Sequence, residues 1–499
     1  MTESPRPTFS LRDLFERIRF RLPWSPIKPP IAKPDPPRVD AERLRSQVAV
    51  VRRAFRENGD VGVAAPDGPY LAKDDADANF LFRPGIALVR DNTDDQRYFD
   101  EFVDFFTRRD DLFGGRAPVR REDVRLPDGL VMVDMPSRSD EADSVLVTLD
   151  EIDKERRAQF GDRERSNEDD EEEDKEPPVL AQPDHVLYVT GPVGNLCPAI
   201  EPERPRETGP WPPVNPDGQV GDGVRVSVVD TGWWTAAASH PTTKQWVSDV
   251  YADKEDEEHL NGTEIHEYAG HGTFVAGVIK CLAPAARVEV EGVLTHGGAV
   301  SESEICEQLN EAINENDLPQ LISISAGSRT LNNNGLLGLE ILLATKGVIK
   351  NVNTLVVAAA GNDGDDEKFY PAAYPWVVGV GSVDPDRKRS KFSNFGKWVK
   401  VYARGRDLVN AFPVGTYTCH YPENKNPQTQ SGTPEVRQFD GLARWSGTSF
   451  AAPMVTGAIA AHMSATGNTT HPWRAYNELT TAAAAAGPGP DGKPIIGPL

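Results

Sequence analysis

Cysteine is scarce in this chain, with four among 499 residues. Cys197, Cys281, Cys306 and Cys419 are far apart and lack metal-ligand spacing, so the sequence predicts neither a zinc site nor a disulfide framework. Cys281 and Cys306 lie in apolar patterns, which indicates reduced core residues. The chemistry of the chain is therefore expected to depend on other side chains.

Basic residues are also few relative to acidic ones. Lys and Arg number 54 against 77 Asp and Glu, which gives a formal charge of -23. A nucleic-acid partner requires a basic surface, so nucleic acid is excluded as the main partner. Residues 168–174 are all acidic, and such a self-repelling run is typical of a disordered connection.

Long apolar runs are absent, since no segment reaches the ~18 residues of a membrane span. The sequence therefore predicts no transmembrane segment. The first six residues, Met-Thr-Glu-Ser-Pro-Arg, also lack the apolar stretch of a signal peptide. We expect a cytoplasmic location, with secretion by an unrecognised route as the alternative.

The first part of the chain divides into three predicted segments. Residues 1–39 combine a basic amphipathic helix with a proline-rich linker, residues 40–166 form a small α/β domain, and residues 167–215 form an acidic, proline-rich connection with a strand at 184–190. Within the small domain, the spacing of apolar residues predicts a helix with Leu44, Val48, Val51 and Phe55 on one face, a helix at 98–106, and strands at 86–89, 131–133 and 145–149.

Three later segments hold the residue types of nucleophilic catalysis. Asp230 ends the apolar run Val-Ser-Val-Val, as at the C-terminal end of a buried parallel strand. His271 begins an apolar helical pattern, and Ser449 lies in Gly-Thr-Ser-Phe-Ala-Ala-Pro, which predicts a strand-to-helix turn with the hydroxyl at the helix N-terminus. The order Asp, His, Ser is one of the known orders for a serine nucleophile with its base and orienting carboxylate.

These segments resemble those of the subtilisin-like (S8) serine proteases over roughly residues 215–486. Residues 356–364 are similar to the family loop that carries the oxyanion-hole asparagine, here Asn362. Residues 321–327 are similar to the strand whose edge pairs with substrate, which implies substrate contacts for Ser325, Ala326 and Gly327. The resemblance implies a doubly wound parallel α/β sheet over 216–486, followed by a tail at 487–499.

The resemblance implies a serine endopeptidase that acts on polypeptides. Ser449 would form an acyl-enzyme, His271 would transfer its proton, and Asp230 would orient the imidazole. No metal or other cofactor is required for this chemistry. Structural calcium is common in the family, but no loop of this sequence has a convincing ligand pattern. Two alternatives remain open, a non-catalytic protein-binding scaffold and a specialised peptide-processing or transamidating protease.

Specificity and regulation are also predicted by position. Four carboxylates, beginning with Asp363, follow Asn362 and favour Lys or Arg before the cut, whereas a bulky Phe369 favours smaller apolar residues. The small N-terminal domain resembles an inhibitory propeptide in position, with a fixed regulatory domain as the alternative. We expect any self-cleavage at 197–216, and we interpret the Pro- and Gly-rich residues 404–444 as a surface insertion.

Overall fold

The computed structural model describes residues 41–56, 59–140, 144–164, 177–189, 200–209, 211–258, 260, 262–295, 297–314, 316–420, 424 and 433–498. The basic helix predicted within residues 1–39 and the acidic run at 168–174 lie outside these ranges, and so does Cys197. Among the described residues, no helix combines the length and apolarity needed to cross a membrane.

The N-terminal unit is an antiparallel sheet covered by helices. Its strands are β1 (Gly62–Ala64), β2 (Phe80–Arg90), β3 (Val119–Arg120), β4 (Leu130–Asp134) and β5 (Ala181–Tyr188), and its helices are α1 (Ala41–Phe55), α2 (Tyr98–Arg108), α3 (Asp110–Phe113) and α4 (Ser144–Glu164). The strand order is β3-β4-β2-β5, with β1 beside β2. The predicted strand at 184–190 is thus found a few residues earlier, as part of this sheet.

The prediction of a strand at 145–149 is wrong, because these residues lie in helix α4. The β-branched run Val-Leu-Val-Thr-Leu favours a strand by local propensity. The buried positions, however, are Val145, Leu146, Leu149 and Ile152, which recur at helical spacing and pack into the phenylalanine cluster of α2 and α3. Burial against that cluster therefore overrides the propensity.

The catalytic unit is built on a six-stranded parallel sheet, as predicted. Its strands are β6 (Arg225–Asp230), β8 (Arg287–Gly292), β10 (Leu321–Ile324), β11 (Leu355–Ala359), β12 (Val377–Val383) and β13 (Val401–Arg404), in the order β13-β12-β11-β10-β6-β8. Successive residues of one strand face different cores. Val357 and Ala359 contact the first core, and Val356 and Ala358 contact the second. The sheet is therefore doubly wound, with helices on both faces.

The helices of this unit fill both cores. They are α5 (Lys244–Val247), α6 (His271–Leu282), α7 (Glu302–Ala312), α8 (Leu337–Thr345), α9 (Thr448–Ala465) and α10 (Pro472–Ala485). Helices α6 and α9 pack against each other in the first core, and α7 and α8 pack in the second. Ser301 and Glu304 form the capping box that the sequence predicts at the start of α7. Cys281 and Cys306 are free and buried, which confirms their predicted place in the core.

Residues 404–444 are not the surface insertion that their composition suggests. They contain the strands β14 (Leu408–Ala411), β15 (Gly415–Thr418), β16 (Val436–Phe439) and most of β17 (Leu442–Trp445). Strand β14 pairs with β17, and β15 lies between β16 and β7 (Glu264–Ile265). Phe412, Tyr417 and Phe439 are buried in the first core. Frequent turns between very short strands hid this pattern in the sequence.

A single sheet joins the two units. Strand β5 pairs on its free side with β9 (Ala299–Ser301) of the catalytic unit, in antiparallel register from Val186 opposite Ser301 to Tyr188 opposite Ala299. The N-terminal sheet therefore continues directly into the catalytic unit at the edge where the chemistry is predicted.

Candidate active site

Asp230 and His271 form a buried pair at the carboxyl edge of the parallel sheet. Asp230 is the last residue of β6 and His271 the first of α6, and neither is exposed to solvent. Their Oδ1 and Nδ1 atoms lie 2.7 Å apart, and the backbone N–H of Thr231 also donates to Oδ1 over 2.8 Å. Because Nδ1 donates to the carboxylate, Nε2 is the imidazole nitrogen that can accept a proton.

Ser449 lies in the first turn of α9, as its motif predicts, and is fully buried. Its hydroxyl lies 3.0 Å from the carbonyl oxygen of Val189 and 3.3 Å from that of Ser325, and can donate to either. Nε2 of His271 is buried and has no hydrogen-bond partner among the described residues. The hydroxyl is therefore engaged by main-chain carbonyls and not by the imidazole.

Asn362 follows β11 and is held by the turn that carries the nucleophile. Its side-chain Oδ1 accepts from the backbone N–H of Thr448 over 2.8 Å and from the Thr448 hydroxyl over 2.9 Å. Both bonds use the oxygen and so fix the orientation of the amide, whose donor atom is Nδ2. Asn362 is fully buried beside Ser449, where a donor can stabilise an oxyanion.

The edge predicted to bind substrate runs from Ser325 through Ala326 to Gly327. The Ser325 hydroxyl donates to the backbone oxygen of Ser449 over 2.8 Å. Gly327 exchanges both main-chain hydrogen bonds with Tyr188, over 3.0 and 2.9 Å. This edge is therefore occupied by the end of the chain's own strand β5.

The main chain of β5 continues past this edge to the nucleophile. The N–H of Val189 donates to the carbonyl of Gly298 over 2.9 Å, on the side opposite the Gly327 edge. Tyr188 and Val189 thus lie between two segments of the catalytic unit. The sequence pattern did not reveal this occupancy, because β5 reads as one more apolar strand.

A buried arginine pairs with three carboxylates of the acidic loop after Asn362. Arg329 forms an ion pair with Glu367 over 2.9 Å, contacts Asp365, and lies 3.7 Å from Asp363. The side chain of Asp363 is fully buried, which raises the pKa of its carboxyl to about 7 against the opposing effect of Arg329. All three side chains are thus paired with Arg329, and the preference for Lys or Arg before the cut stays a prediction.

The ring of Phe369 packs closely against both Gly327 and Gly361. A Cβ atom added to Gly327 would lie 2.5 Å from Cε1 of its ring, and one added to Gly361 would lie 3.1 Å from its Cγ. Only glycine therefore allows the ring to approach both segments so closely. The ring is fully buried, and its limit on the side chain before the cut stays a prediction.

Glu258 is a site residue that no sequence pattern revealed. Its Oε2 atom accepts from the Thr231 hydroxyl and from the backbone N–H of Gly270, each over 3.1 Å. The Thr231 hydroxyl in turn accepts from the N–H of Gly272 over 3.1 Å. Glu258 therefore ties the end of β6 to the start of α6. Burial, with a smaller contribution from the charge of Asp230, raises the pKa of Glu258 to about 7.

The parallel sheet, with an Asp–His pair and a serine at its carboxyl edge, defines an α/β serine hydrolase. The model of the subtilase family matches residues 221–493. The major intracellular serine protease of Bacillus subtilis is 32% identical over 260 residues, which cover 49% of this chain and 69% of that protein. The chain therefore belongs to the subtilase family, and it is a subtilisin-like serine protease.

Two further relatives extend the comparison. The intracellular serine protease of Paenibacillus polymyxa is 31% identical over 48% of this chain and 66% of that protein. Thermitase of Thermoactinomyces vulgaris is 29% identical over 46% of this chain and 77% of that protein. In the part of the chain that the structure describes, no three His, Cys, Asp or Glu side chains are grouped to hold a metal ion.

Replacing Phe369 by Ala is expected to deepen the pocket and to shift preference before the cut from small to large apolar residues by about tenfold or more. Cleavage of a peptide library, read by mass spectrometry, measures this preference. Phe369→Leu is the control, because it keeps most of the apolar volume. A preference for Lys or Arg in the unmodified protein would contradict the steric account.

Replacing Glu258 by Gln is expected to stabilise the protein above pH 7 and to change little at pH 4. The pKa of Glu258 is higher in the folded protein than in the unfolded chain. The stabilisation by its neutral carboxyl is therefore complete below about pH 4.5 and is lost as the pH rises through about 7. Gln keeps the acceptor without the charge, so the gain at pH 8 is about 1–2 kcal/mol after allowance for solvent screening.

Urea unfolding at both pH values measures this difference, with Ser449→Ala present to prevent self-digestion. Glu255→Gln serves as the exposed control in the same loop. Equal stability of the Glu258→Gln and parent proteins at pH 8 would contradict the buried-charge assignment.

Proposed function

We propose that this protein hydrolyses internal peptide bonds through an acyl-enzyme on Ser449. The observation that carries the proposal is the 2.7 Å pairing of His271 with Asp230 beside a serine at a helix N-terminus. His271 takes the Ser449 proton at Nε2 as the hydroxyl attacks the scissile carbonyl. The same imidazolium then protonates the leaving amine, and water hydrolyses the acyl-enzyme.

Asn362 and the backbone N–H of Ser449 are proposed to hold the oxyanion. The two bonds to Oδ1 of Asn362 fix the orientation of its amide, and Nδ2 is the atom that donates to the oxyanion. Asp230 keeps the imidazole in the tautomer with Nε2 as the acceptor and stabilises the imidazolium. Ser325, Ala326 and Gly327 pair with the substrate main chain, and Phe369 limits the side chain before the cut.

We further propose that the N-terminal unit inhibits the enzyme in cis. Tyr188 uses the Gly327 hydrogen bonds that a substrate strand would use, and the Val189 carbonyl is a hydrogen-bond acceptor for the Ser449 hydroxyl. A substrate main chain therefore has no access to this edge while β5 is present.

A buried polar network holds the inhibitory strand in place. Asp184 of β5 accepts from the backbone N–H and hydroxyl of Ser303, over 2.9 and 2.7 Å, at the start of α7. His185 lies 3.2 Å from Glu302 through Nδ1 and accepts from the N–H of Leu331 through Nε2 over 3.2 Å. Because these groups are buried, separating them without replacement partners is costly, which favours a long-lived closed state.

Self-cleavage is proposed to occur at the bond after Val189, and this replaces the sequence-based expectation of a cut at 197–216. The Val189 carbonyl lies beside the nucleophile, so its peptide bond is the one presented for attack. Because two relatives are named intracellular serine proteases, we also propose that the protein acts inside the cell, with secretion by another route as the alternative.

Ser449→Ala and His271→Ala are expected to lower turnover of casein by about 10⁶, a magnitude taken from subtilisin itself. Asn362→Ala is expected to cost about 10²–10³, again by the subtilisin measurement, with little change in KM. Casein hydrolysis by purified proteins of equal folded content measures these losses. Ser464→Ala, farther along α9, is the matched control. Full activity of the Ser449→Ala protein would contradict the mechanism.

Weakening the inhibitory contact from the catalytic side is expected to activate the full chain. Ser303→Ala removes one of the two bonds to Asp184 and leaves the N-terminal unit unchanged. A lost buried bond of about 1–3 kcal/mol predicts an initial rate on a fluorogenic peptide that is five-fold or more above that of the parent.

Intact-mass analysis of the same samples is expected to show a new N-terminus at residue 190. Ser239→Ala, an exposed serine of the catalytic unit, is the control and is expected to match the parent. An unchanged initial rate in the Ser303→Ala protein would contradict inhibition by β5.

A further inference from the structure

After β5, a second segment of the chain, residues 200–203, contacts the strand that precedes Ser449. Residues 200–203 lie along the free edge of β17, the strand that leads into the Ser449 turn. Glu203 exchanges both main-chain hydrogen bonds with Arg444, over 2.9 and 2.7 Å, and the indole N–H of Trp445 donates to the carbonyl of Ile200 over 2.6 Å. This segment is therefore bound in an extended conformation on an edge different from the one that β5 occupies.

The side chain of Glu201 occupies a specific carboxylate pocket. Only 3% of the residue is exposed. Its Oε1 accepts from the hydroxyl of Tyr417 over 3.1 Å and from the backbone N–H of His420 over 2.5 Å, and Oε2 accepts from Nδ2 of Asn424 over 2.5 Å. Three convergent donors compensate the lost hydration of a buried carboxylate, so the pocket is complementary to an acidic side chain.

A buried arginine adds to this site. The guanidinium of Arg437 donates to the carbonyl of Pro202 over 2.8 Å and pairs with Glu435. Its charge is close enough to that of Glu201 for the two to interact. Three strands therefore contribute to this site. Strand β17 supplies the main-chain pairing, β16 supplies the positive charge of Arg437, and β15 supplies Tyr417.

The location of this segment connects it with the leaving-group side of the reaction. The Trp445 ring that holds Ile200 stands edge-on to the imidazole of His271, with ring centroids 5.4 Å apart. His271 is the group that must protonate the leaving amine, and the Trp445 ring contacts both this imidazole and Ile200. Residues of β5, in contrast, lie along Gly327.

We propose that the β17 edge, together with Tyr417, His420 and Asn424, is a binding site for an extended peptide that carries a glutamate. In the resting protein the site is filled by the chain's own residues 200–203. The effect of this bound segment on activity rests on the proposed function and on the proposed cleavage after Val189. Once that bond is cut, residues 200–203 remain bound and continue to hinder long substrates on the leaving-group side.

The binding itself is tested without catalysis, in full-length Ser449→Ala protein. Glu201→Gln removes the charge from the pocket, and hydrogen exchange then reports the amides of Glu203 and Arg444, which bond each other's carbonyls. We expect protection of both amides to fall by tenfold or more, while the Val357 amide in the central sheet stays protected. Glu207→Gln, exposed on the same segment, is the matched control and is expected to change neither. Unchanged protection at Glu203 and Arg444 would overturn the proposal.

The consequence for activity is tested with two substrates in the active protein. A short peptide anilide reports only residues before the cut, whereas an internally quenched peptide with six residues on each side also requires the leaving-group side. Glu201→Gln is expected to raise the ratio of kcat/KM for the long over the short substrate by three-fold or more. An unchanged ratio would overturn the blocking role. Failure of the proposed function is distinguishable, because neither substrate would then be hydrolysed.

Discussion

Parallel pairing in register is the constraint on which the site depends. Val229 of β6, Ile324 of β10 and Ala358 of β11 lie directly opposite one another, so the residues that follow them leave the sheet at the same level. Asp230 and Ser325 are the next residues of two of these strands, and Asn362 follows the third after a short turn. Since parallel strands all present their carboxyl ends at one edge, chemical groups far apart in sequence converge there.

The same edge explains how the chain can regulate itself. An exposed strand edge offers unpaired main-chain donors and acceptors, and a protease uses them to bind its substrate. Here the edge at Gly327 is paired with β5 and the edge of β17 with residues 200–203. The proposed catalytic residues are covered by the chain itself, so the proposed inhibition acts through access to these two edges.

Buried charge limits what the pocket can recognise. Arg329 is almost fully buried and is surrounded by Asp363, Asp365 and Glu367, which compensate its desolvation. These carboxylates pair with Arg329, from the fully buried side chain of Asp363 to the exposed one of Glu367. Phe369 packs against two glycines in the same region, so shape and charge remain the two predicted determinants of specificity.

The parallel sheet and the candidate catalytic residues at its edge could both be predicted from the sequence. Asp230, His271, Asn362 and Ser449 were readable because each stands next to residues that strand ends and helix starts require, and because their order along the chain is distinctive. Local patterns of this kind survive in any tertiary context. The prediction of a strand at 145–149 is wrong for the opposite reason, since contacts with distant phenylalanines decide the conformation of these residues.

The segments that cover the site and the side chains that surround it could not be predicted from the sequence. Glu258, Arg329 and Glu201 acquire their roles through partners 12 to 223 residues away, and no local spacing encodes such pairings. In the sequence, strand β5 and residues 200–203 have no distinguishing pattern. The fold brings the end of β5 beside Ser449 and residues 200–203 beside Trp445. Long-range hydrogen bonding and burial, and not local propensity, therefore set the occupancy of the cleft.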